Sequence, residues 1–338
     1  MTNRGTIGGA SVLAALALAG QVAAGPVLDP KVQAFIDGLA GGPPIYTLSP
    51  AQAREVLVGA QSASVSAPAV EIEDRVLPVG PTGSTRVRIL KPTDVQSNAP
   101  ALIYYHGAGW VMGDTKTHDR LVRELAAGTN AVVIFVDYER SPEHRFPVAI
   151  EQDYAVLEYV ATNPGQFGID ANRIAIGGDS VGGNMTAAVS LLAKQRGGPS
   201  LRAQLLFYPV TDASMSTPSY REFADGPWLT APAMVWFWDA YLPDVSKRAD
   251  ILVSPINATK EQLHGLPDAL VITAENDVLR DEGEAYARNL TAAGVETTVT
   301  RYGQTIHDFV LLNAISDTVA TRAAMEQAIS FLNAKLQP

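Results

Sequence analysis

The chain has 338 residues, of which 47% are hydrophobic and 18% are charged, a balance typical of a globular protein with a large core rather than of a disordered chain. Its formal net charge of −10 argues against a nucleic-acid partner, because phosphate binding needs clustered Lys and Arg residues. It contains no cysteine, which excludes disulfides, thiolate catalysis and Cys-ligated metal sites.

The start of the chain has the pattern of a secretory signal peptide. Arg4 precedes an apolar stretch over residues 10–19, and small residues follow at 22–24. We therefore predict that residues 1–24 are a leader. The protein is then exported, to the periplasm or outside the cell, if the leader is cleaved, and is otherwise cytoplasmic or tethered to the inner membrane. No other segment approaches the roughly 20 apolar residues of a transmembrane helix, so no span is expected in the mature chain.

Two helices and a sheet are predicted after this leader. The helices cover Leu28 to Ala40 and Ser49 to Ala60, with Ser49 as an N-cap before Pro50. Alternating residues from Val70 to Leu90 indicate an antiparallel hairpin. Strand-like and helix-like segments then alternate, which predicts an α/β fold with a mostly parallel sheet and ligand sites at the carboxyl ends of its strands. The predicted strands of that part are 101–105, 131–137, 173–177, 204–208, 269–274 and 297–302.

A loop of small residues follows the first of these buried strands. Its sequence, from Tyr105 to Trp110, is YHGAGW, and its backbone N–H groups can converge on one point. Alone, it would indicate only a tight Gly-rich turn. Hydrolases with a serine nucleophile use such a loop, together with the amide that follows the serine, to stabilise an oxyanion. The candidates here are the amides of Gly107, Ala108, Gly109 and Val181.

A GxSxG motif follows the strand predicted at 173–177. The residues 178–182 are GDSVG, and a helix-like segment comes next. This is the context of a nucleophile elbow, in which the serine is strained and the glycines let strand and helix approach closely. A lone GxSxG also occurs in ordinary Gly/Ser-rich loops, but its neighbours in this chain favour Ser180 as a nucleophile.

One segment interrupts the alternation of strands and helices. It runs from Asp212 to Asp250 and is dense in aromatic residues. This composition is typical of a helix that packs on the core and also of a lid whose apolar face lines a substrate pocket. We expect both in different residues of the segment. Trp228 and Phe237, with Trp110 from the earlier loop, are our candidates for the pocket.

A nucleophilic serine needs a base within hydrogen-bond reach and an acid that orients the base. In this kind of fold both follow the serine, the acid first. His307 follows the last predicted strand through a short loop and is favoured over His264, which lies in a loop at the opposite end of the sheet.

Three acidic residues follow the strand that ends near Ala274. Asp281 fits the N-cap of the next helix, with Glu284 as its capping-box partner. Glu275 is still close to the strand end. Asp277 lies in the loop and is free to reach the base, so it is the predicted acid.

Five runs of the sequence combine these features in one order: HGAGW at 106–110, YERSPEHRFP at 138–147, GDSVGG at 178–183, DVLRDEG at 277–283 and HDF at 307–309. From about Leu28 to its end, the chain resembles the hormone-sensitive-lipase-like esterases, bacterial lipolytic family IV. The resemblance implies an α/β-hydrolase fold over 67–338, with a helical cap built from 25–66 and an insertion at about 212–250. The implied triad is Ser180, Asp277 and His307. The implied oxyanion amides are those of Ala108, Gly109 and Val181.

The chain departs from the family pattern at two positions. Ala108 stands where the family usually has glycine, and Val278 follows Asp277 where the family usually has proline. Neither change removes a catalytic group. The extra methyl group of Ala108 lies at the catalytic mouth, and we expect it to narrow the tolerance for bulky substrates.

Together the residues and the resemblance predict a serine carboxylesterase for small-molecule esters of short or medium acyl chains. Activity is expected to rise through a pKa near 6.5 as the histidine loses its proton. An amidase or lactonase with the same triad, or a non-catalytic binding protein on the same fold, are the alternatives. No metal or cofactor is expected, since no metal-ligand spacing is present. His118 is expected at the surface, and the last strand is a candidate edge for a homodimer.

Overall fold

A computed structural model describes Met1, residues 25–95 and residues 97–337. The predicted leader lies outside the described residues. The strands form one sheet of eight, in the order β1-β2-β4-β3-β5-β6-β7-β8. They are β1 Val70–Leu77, β2 Thr85–Pro92, β3 Ala99–Tyr105, β4 Val132–Asp137, β5 Ile169–Asp179, β6 Ala203–Phe207, β7 Asp268–Asn276 and β8 Thr297–Ile306.

The helices flank this sheet and fill the connections between its strands. Four short 3-10 turns, at Ile45–Thr47, Val245–Lys247, Pro255–Asn257 and Asn313–Ile315, complete the described part. The helices are α1 Pro30–Gly38, α2 Pro50–Ala60, α3 Asp119–Thr129, α4 Val148–Thr162, α5 Pro164–Phe167, α6 Val181–Arg196, α7 Pro218–Glu222, α8 Ala231–Tyr241, α9 Lys260–Leu263, α10 Arg280–Ala292 and α11 Val319–Lys335.

The sheet has the predicted mixture of directions. β1 and β2 form the antiparallel hairpin, and β2 pairs antiparallel with β4. All further pairs, from β4 to β8, are parallel. Parallel strands end at the same edge of a sheet, so the loops after β3, β5, β7 and β8 lie together.

Both faces of the sheet are buried. Along β3 and β4, Ile103 and Ile134 belong to one hydrophobic core, whereas the neighbouring Leu102 and Val133 belong to another on the opposite face. Strands covered on both sides have continuous apolar sequences rather than alternating ones. This explains why these strands could be recognised in the sequence.

The N-terminal helix α2 begins as predicted. The Ser49 hydroxyl accepts a hydrogen bond from the Gln52 N–H, and the Gln52 side chain accepts one from the Ser49 N–H. This capping box stabilises the first turn, with Pro50 at the first helical position. No helix in the described part of the chain is both long and apolar enough to cross a bilayer.

The last strand is longer than predicted. The sequence placed its end at Tyr302, but β8 continues to Ile306, where it pairs with Asn276 beyond an irregularity in β7. The Gly303-Gln304-Thr305 stretch lacks the apolar residues that normally indicate a strand. As a result, His307 follows the strand directly rather than through a loop.

Candidate active site

Ser180 occupies the sharp turn between β5 and α6. Its φ is +56°, a left-handed conformation that costs energy for a residue with a side chain. The neighbouring glycines explain the tight turn: a Cβ atom on Gly178 or Gly182 would overlap the carbonyl oxygen of Tyr105 on the adjacent strand β3. The helix therefore starts against the sheet, and Ser180 stands at the carboxyl edge of the strands.

His307 and Asp277 lie at the same edge, at the ends of β8 and β7. The Nε2 atom of His307 is 2.9 Å from Ser180 Oγ, and its Nδ1 is 2.7 Å from Asp277 Oδ2. The other oxygen of Asp277 accepts a hydrogen bond from the Leu279 N–H at 3.0 Å, which fixes the carboxylate. All three side chains are almost fully buried. The structure thus brings the three predicted residues into one hydrogen-bonded chain.

The environment of His307 changes the expected pH dependence. Burial lowers the pKa of this imidazole, but the negative charges of Asp277 and Asp308 and the hydrogen bond to Asp277 outweigh burial and raise the pKa to about 9. The rise in activity is therefore expected at higher pH than in the sequence-based expectation of a value near 6.5. That expectation used the value of an isolated histidine and did not include the second carboxylate.

The loop after β3 contains consecutive residues with a left-handed backbone conformation. Ala108 has φ +78° and Gly109 φ +68°. Within the described residues, no hydrogen-bond acceptor is recorded for the N–H groups of Ala108, Gly109 or Val181. These amides are therefore available for a substrate oxyanion. The Gly107 amide is not, because it donates to Asp179 Oδ1 at 3.1 Å, and this candidate from the sequence was wrong.

Asp179 is a buried residue whose role the sequence did not reveal. Its Oδ1 also accepts from the Tyr104 hydroxyl at 2.7 Å, and its Oδ2 lies 3.3 Å from His118 Nε2. Burial raises the pKa of this carboxyl, but His118 and Tyr104 outweigh it and leave the pKa below its usual value. Asp179 therefore ties the loop after β3 to the nucleophile turn. An acidic residue inside an apolar strand was the available signal.

His118 is fully buried beside Asp179, so the prediction of a surface position was wrong. The residue precedes α3, and the start of this helix faces the sheet rather than solvent. Its ring also packs against Phe135 on β4, at 5.9 Å between centroids. His118 thus completes the polar cluster behind the nucleophile.

The N-cap prediction for Asp281 was also wrong. Helix α10 begins at Arg280, with Leu279 as its N-cap, and Asp281 Oδ2 accepts a hydrogen bond from the Ser219 N–H at 2.8 Å. Its expected capping partner Glu284 instead binds the Arg301 guanidinium. Asp281 therefore joins the insertion after β6 to the helix after the acid loop, a contact that local sequence rules do not predict.

A cavity of about 600 Å³ opens in front of Ser180 and His307. Its walls are mostly apolar and come from the N-terminal helices and from the segment between β6 and β7. Trp228 and Phe237 line it, as the sequence predicted. Further apolar lining residues include Ile36, Tyr46, Leu57, Leu229 and Met234.

Trp110 does not line the cavity, and this part of the pocket prediction was wrong. Its φ is +58°, and its fully buried ring stacks on Tyr241 at 4.1 Å and contacts Trp238 at 4.6 Å. The aromatic residues of the segment after β6 therefore divide as expected. Some pack on the core with Trp110, and others face the cavity.

Asp308 also lines the cavity and was not singled out from the sequence. Its Oδ1 lies 3.4 Å from His307 Nε2, and its Oδ2 accepts a hydrogen bond from Trp228 Nε1 at 2.8 Å. The signal was its position directly after the predicted base.

Comparison with known proteins gives consistent relatives. A family model described as the α/β-hydrolase fold matches residues 102–311. Carboxylesterase NlhH of Mycobacterium tuberculosis is 40% identical over 245 residues, which are 72% of this chain and 76% of that protein. Carboxylic ester hydrolase LipN of the same organism is 36% identical over 326 residues, covering 92% of this chain and 84% of LipN.

Solved structures agree with these sequence relatives. A thermostable esterase from Pseudomonas putida has 48% sequence identity and a TM-score of 0.91, with 93% of this chain and 99% of that chain covered. An esterase from Rhizomucor miehei has 36% identity and a TM-score of 0.86, over 92% of this chain and 97% of that chain. The similarity thus includes the segments that line the cavity.

Proposed function

The chain belongs to the hormone-sensitive-lipase-like esterases of the α/β-hydrolase fold, and we propose that it is a serine carboxylesterase in which Ser180, His307 and Asp277 form the triad. The observation that carries the proposal is the hydrogen-bonded chain from Ser180 Oγ through His307 to Asp277, at the wall of an apolar cavity. A hydroxyl, a base and an orienting acid in this order are the groups that acyl transfer needs.

In the proposed reaction the Oγ atom of Ser180 attacks the ester carbonyl while His307 Nε2 takes the proton of this hydroxyl. The carbonyl oxygen becomes an oxyanion, and the amides of Ala108, Gly109 and Val181 donate hydrogen bonds to it. The intermediate then loses the alcohol, which receives the proton from Nε2. Water repeats these steps on the acyl-enzyme and releases the acid. Asp277 orients the imidazole through Nδ1 and stabilises its positive charge.

The cavity supports a preference for esters of short or medium acyl chains. Its volume of about 600 Å³ lies within the usual range for small-molecule sites, and it is formed mainly by side chains of bulky apolar residues. We propose that residues 25–66 and the insertion at about 212–250 act together as a cap that limits the length of the acyl chain. Ile36 of α1 and Phe237 of α8 are two cap residues that line the cavity.

Hydrolysis of a p-nitrophenyl ester series tests the proposed substrate range. We expect kcat/KM to be highest for acyl chains of about two to eight carbons and to fall for longer chains, because they exceed the cavity. A constant or rising kcat/KM up to palmitoyl esters would contradict the size limit. Inactivity on every ester would favour an amide or lactone substrate.

Ala108→Gly is expected to widen the substrate range. Ala108 and Ser180 both line the cavity, and the substitution removes the methyl group of Ala108. Its removal should raise kcat/KM for a branched acyl ester relative to a linear one by about 10-fold, the scale of one methylene in an apolar pocket. The φ of +78° also suits glycine better than alanine, so the variant should fold. Paired measurements on the two esters check this, and an unchanged ratio would show that the methyl group does not restrict the substrate.

Location and assembly are further parts of the proposal. Residues 1–24 are proposed to be a cleaved leader for export, on the basis of their sequence pattern alone. A homodimer through β8 is proposed because, among the described strands, β8 lies at the edge of the sheet and pairs only with β7.

A further inference from the structure

His307 lies between two carboxylates. Asp277 contacts its Nδ1, and Asp308 Oδ1 lies 3.4 Å from its Nε2, the atom that also faces Ser180. The Asp308 residue is only 7% exposed, and no hydrogen bond to Oδ1 is recorded within the described residues. The charge of this oxygen therefore acts mainly on the imidazole. A distance of 3.4 Å exceeds an ordinary N–H···O bond, so the interaction is electrostatic rather than a competing hydrogen bond.

The position of this carboxylate is fixed from two sides. Asp308 has φ +64°, a conformation that Asp and Asn tolerate better than most residues. Its carbonyl oxygen accepts hydrogen bonds from the N–H groups of Leu311 and Leu312, which hold the turn. Its Oδ2 accepts from the indole N–H of Trp228. The ring of Trp228 in turn contacts Phe35 of α1 at 5.4 Å between centroids. The carboxylate is thus anchored to both parts of the cavity wall.

We propose that Asp308 is a positioning residue for the reaction: held by Trp228, it stabilises the proton that His307 carries from Ser180 to the leaving alcohol. The inference rests on the proposed function. During attack the Oγ–H bond breaks and an Nε2–H bond forms, which leaves an imidazolium between two carboxylates. When the C–O bond to the alcohol breaks, the same proton moves to the alcohol oxygen. Asp308 itself gains and loses no proton.

The other groups around His307 do not replace this charge. Asp277 at the end of β7 binds the opposite nitrogen, and Asp179 at the end of β5 is engaged by Tyr104 and His118. The ring of Tyr208, after β6, lies 4.7 Å from the imidazole. Burial raises the pKa of Tyr208 well above its usual value, so this phenol stays neutral. Asp308 is consequently the carboxylate on the Nε2 side.

The test is the pH dependence of kcat/KM for a short neutral ester, followed by pH-stat titration, with wild type beside Asp308→Asn. Asparagine suits the positive φ and keeps an acceptor for the Trp228 N–H, but it has no charge. Because a lost negative charge at this distance weakens protonation, the acid-limb inflection should fall by about one pH unit or more. We also compare kcat/KM, as a fraction of each enzyme's own plateau, at one pH well below both inflections. This fraction should be higher in Asp308→Asn than in wild type, by about tenfold for each pH unit by which the inflection falls.

Two further variants separate this effect from others. Asp225→Asn removes an exposed carboxylate from the same cavity without a recorded contact to His307, so its inflection should match that of wild type. Trp228→Phe keeps an aromatic ring but has no N–H to hold Asp308, and we expect a smaller shift in the same direction as Asp308→Asn. A wild-type inflection in Trp228→Phe would overturn the role of Trp228.

A direct readout does not depend on turnover. The imidazole of His307 can be titrated by NMR in Ser180→Ala and in the double variant Ser180→Ala/Asp308→Asn. The second titration should lie at lower pH. If Asp308→Asn had the same kinetic inflection as wild type, and the double variant the same NMR inflection as Ser180→Ala, the role of Asp308 would be overturned and the triad left intact. Full activity of Ser180→Ala would instead overturn the proposed function.

Discussion

Replacing Ser180 with alanine should reduce kcat by roughly 10⁵ to 10⁶-fold, the scale observed when the nucleophile of a comparable triad is removed. The substitution deletes the oxygen that attacks the carbonyl and leaves the amides of Ala108, Gly109 and Val181 in place. Those donors can still bind a carbonyl oxygen, so a small rate above that of water remains. Initial rates on a short p-nitrophenyl ester, measured over long times at high enzyme concentration, give the remaining rate.

Ser190→Ala is a matched control. Ser190 lies on α6, the helix that follows Ser180, and is also buried, but its hydroxyl donates only to the Thr186 carbonyl, at 2.9 Å. Both variants should fold, because the Ser180 hydroxyl contacts only His307 among the recorded hydrogen bonds of the described residues. Ser190→Ala should keep kcat within about threefold of wild type, since a single hydrogen bond of this kind contributes about 1 kcal/mol to folding and nothing to the reaction. An equal loss of kcat in Ser180→Ala and Ser190→Ala would contradict the assignment of Ser180 as the nucleophile.

Gly182→Ala should destabilise the fold by about 3 kcal/mol or more and abolish activity. A Cβ atom at this position would overlap the carbonyl oxygen of Tyr105 and approach its carbonyl carbon to 2.8 Å. Tyr105 lies on β3, which is hydrogen-bonded to β4 on one side and to β5 on the other, so neither backbone can move away cheaply. The start of α6 would be pushed off the sheet, and Ser180 with it. Thermal unfolding followed by circular dichroism measures the loss.

Gly59→Ala is the same chemical change, but we expect it to stabilise the fold rather than destabilise it. Gly59 is exposed in α2, and a Cβ atom there meets nothing within 4 Å. Alanine should stabilise this helix by about 0.5 to 1 kcal/mol, because glycine loses more backbone entropy on folding. If Gly182→Ala melts as high as Gly59→Ala and hydrolyses esters, the close approach of helix and strand is not required.

The sheet and the elbow could be predicted because local sequence determines them. Doubly covered strands such as β4 are apolar throughout, and a GxSxG motif between a strand and a helix has few other uses. Parallel strands also end at one edge, which is why Ser180, Asp277 and His307 could be placed together from a distance of more than 90 residues along the chain. For these residues the order of elements was sufficient.

The errors concern residues whose contacts come from distant segments or follow from positive φ angles. Asp281 has the local sequence of an N-cap, but its carboxylate accepts a hydrogen bond from the Ser219 N–H in the insertion. Trp110 follows a catalytic loop, but its left-handed backbone turns the ring into the core. The pKa of His307 depends on Asp308 as well as on its acid partner. Such contacts depend on three-dimensional packing and on positive φ angles, which residue spacing does not report.

The position of His307 at the end of the edge strand has a consequence for how the chain folds and unfolds. Among the described residues, β8 is the last strand and pairs on one side only, with β7. His307 and Ser180 are 127 residues apart in the chain, and we expect them to meet only after β8 has paired with β7. Edge elements also open more readily than central strands. We therefore expect esterase activity to be lost early during denaturation, while the central strands around Ser180 are still intact.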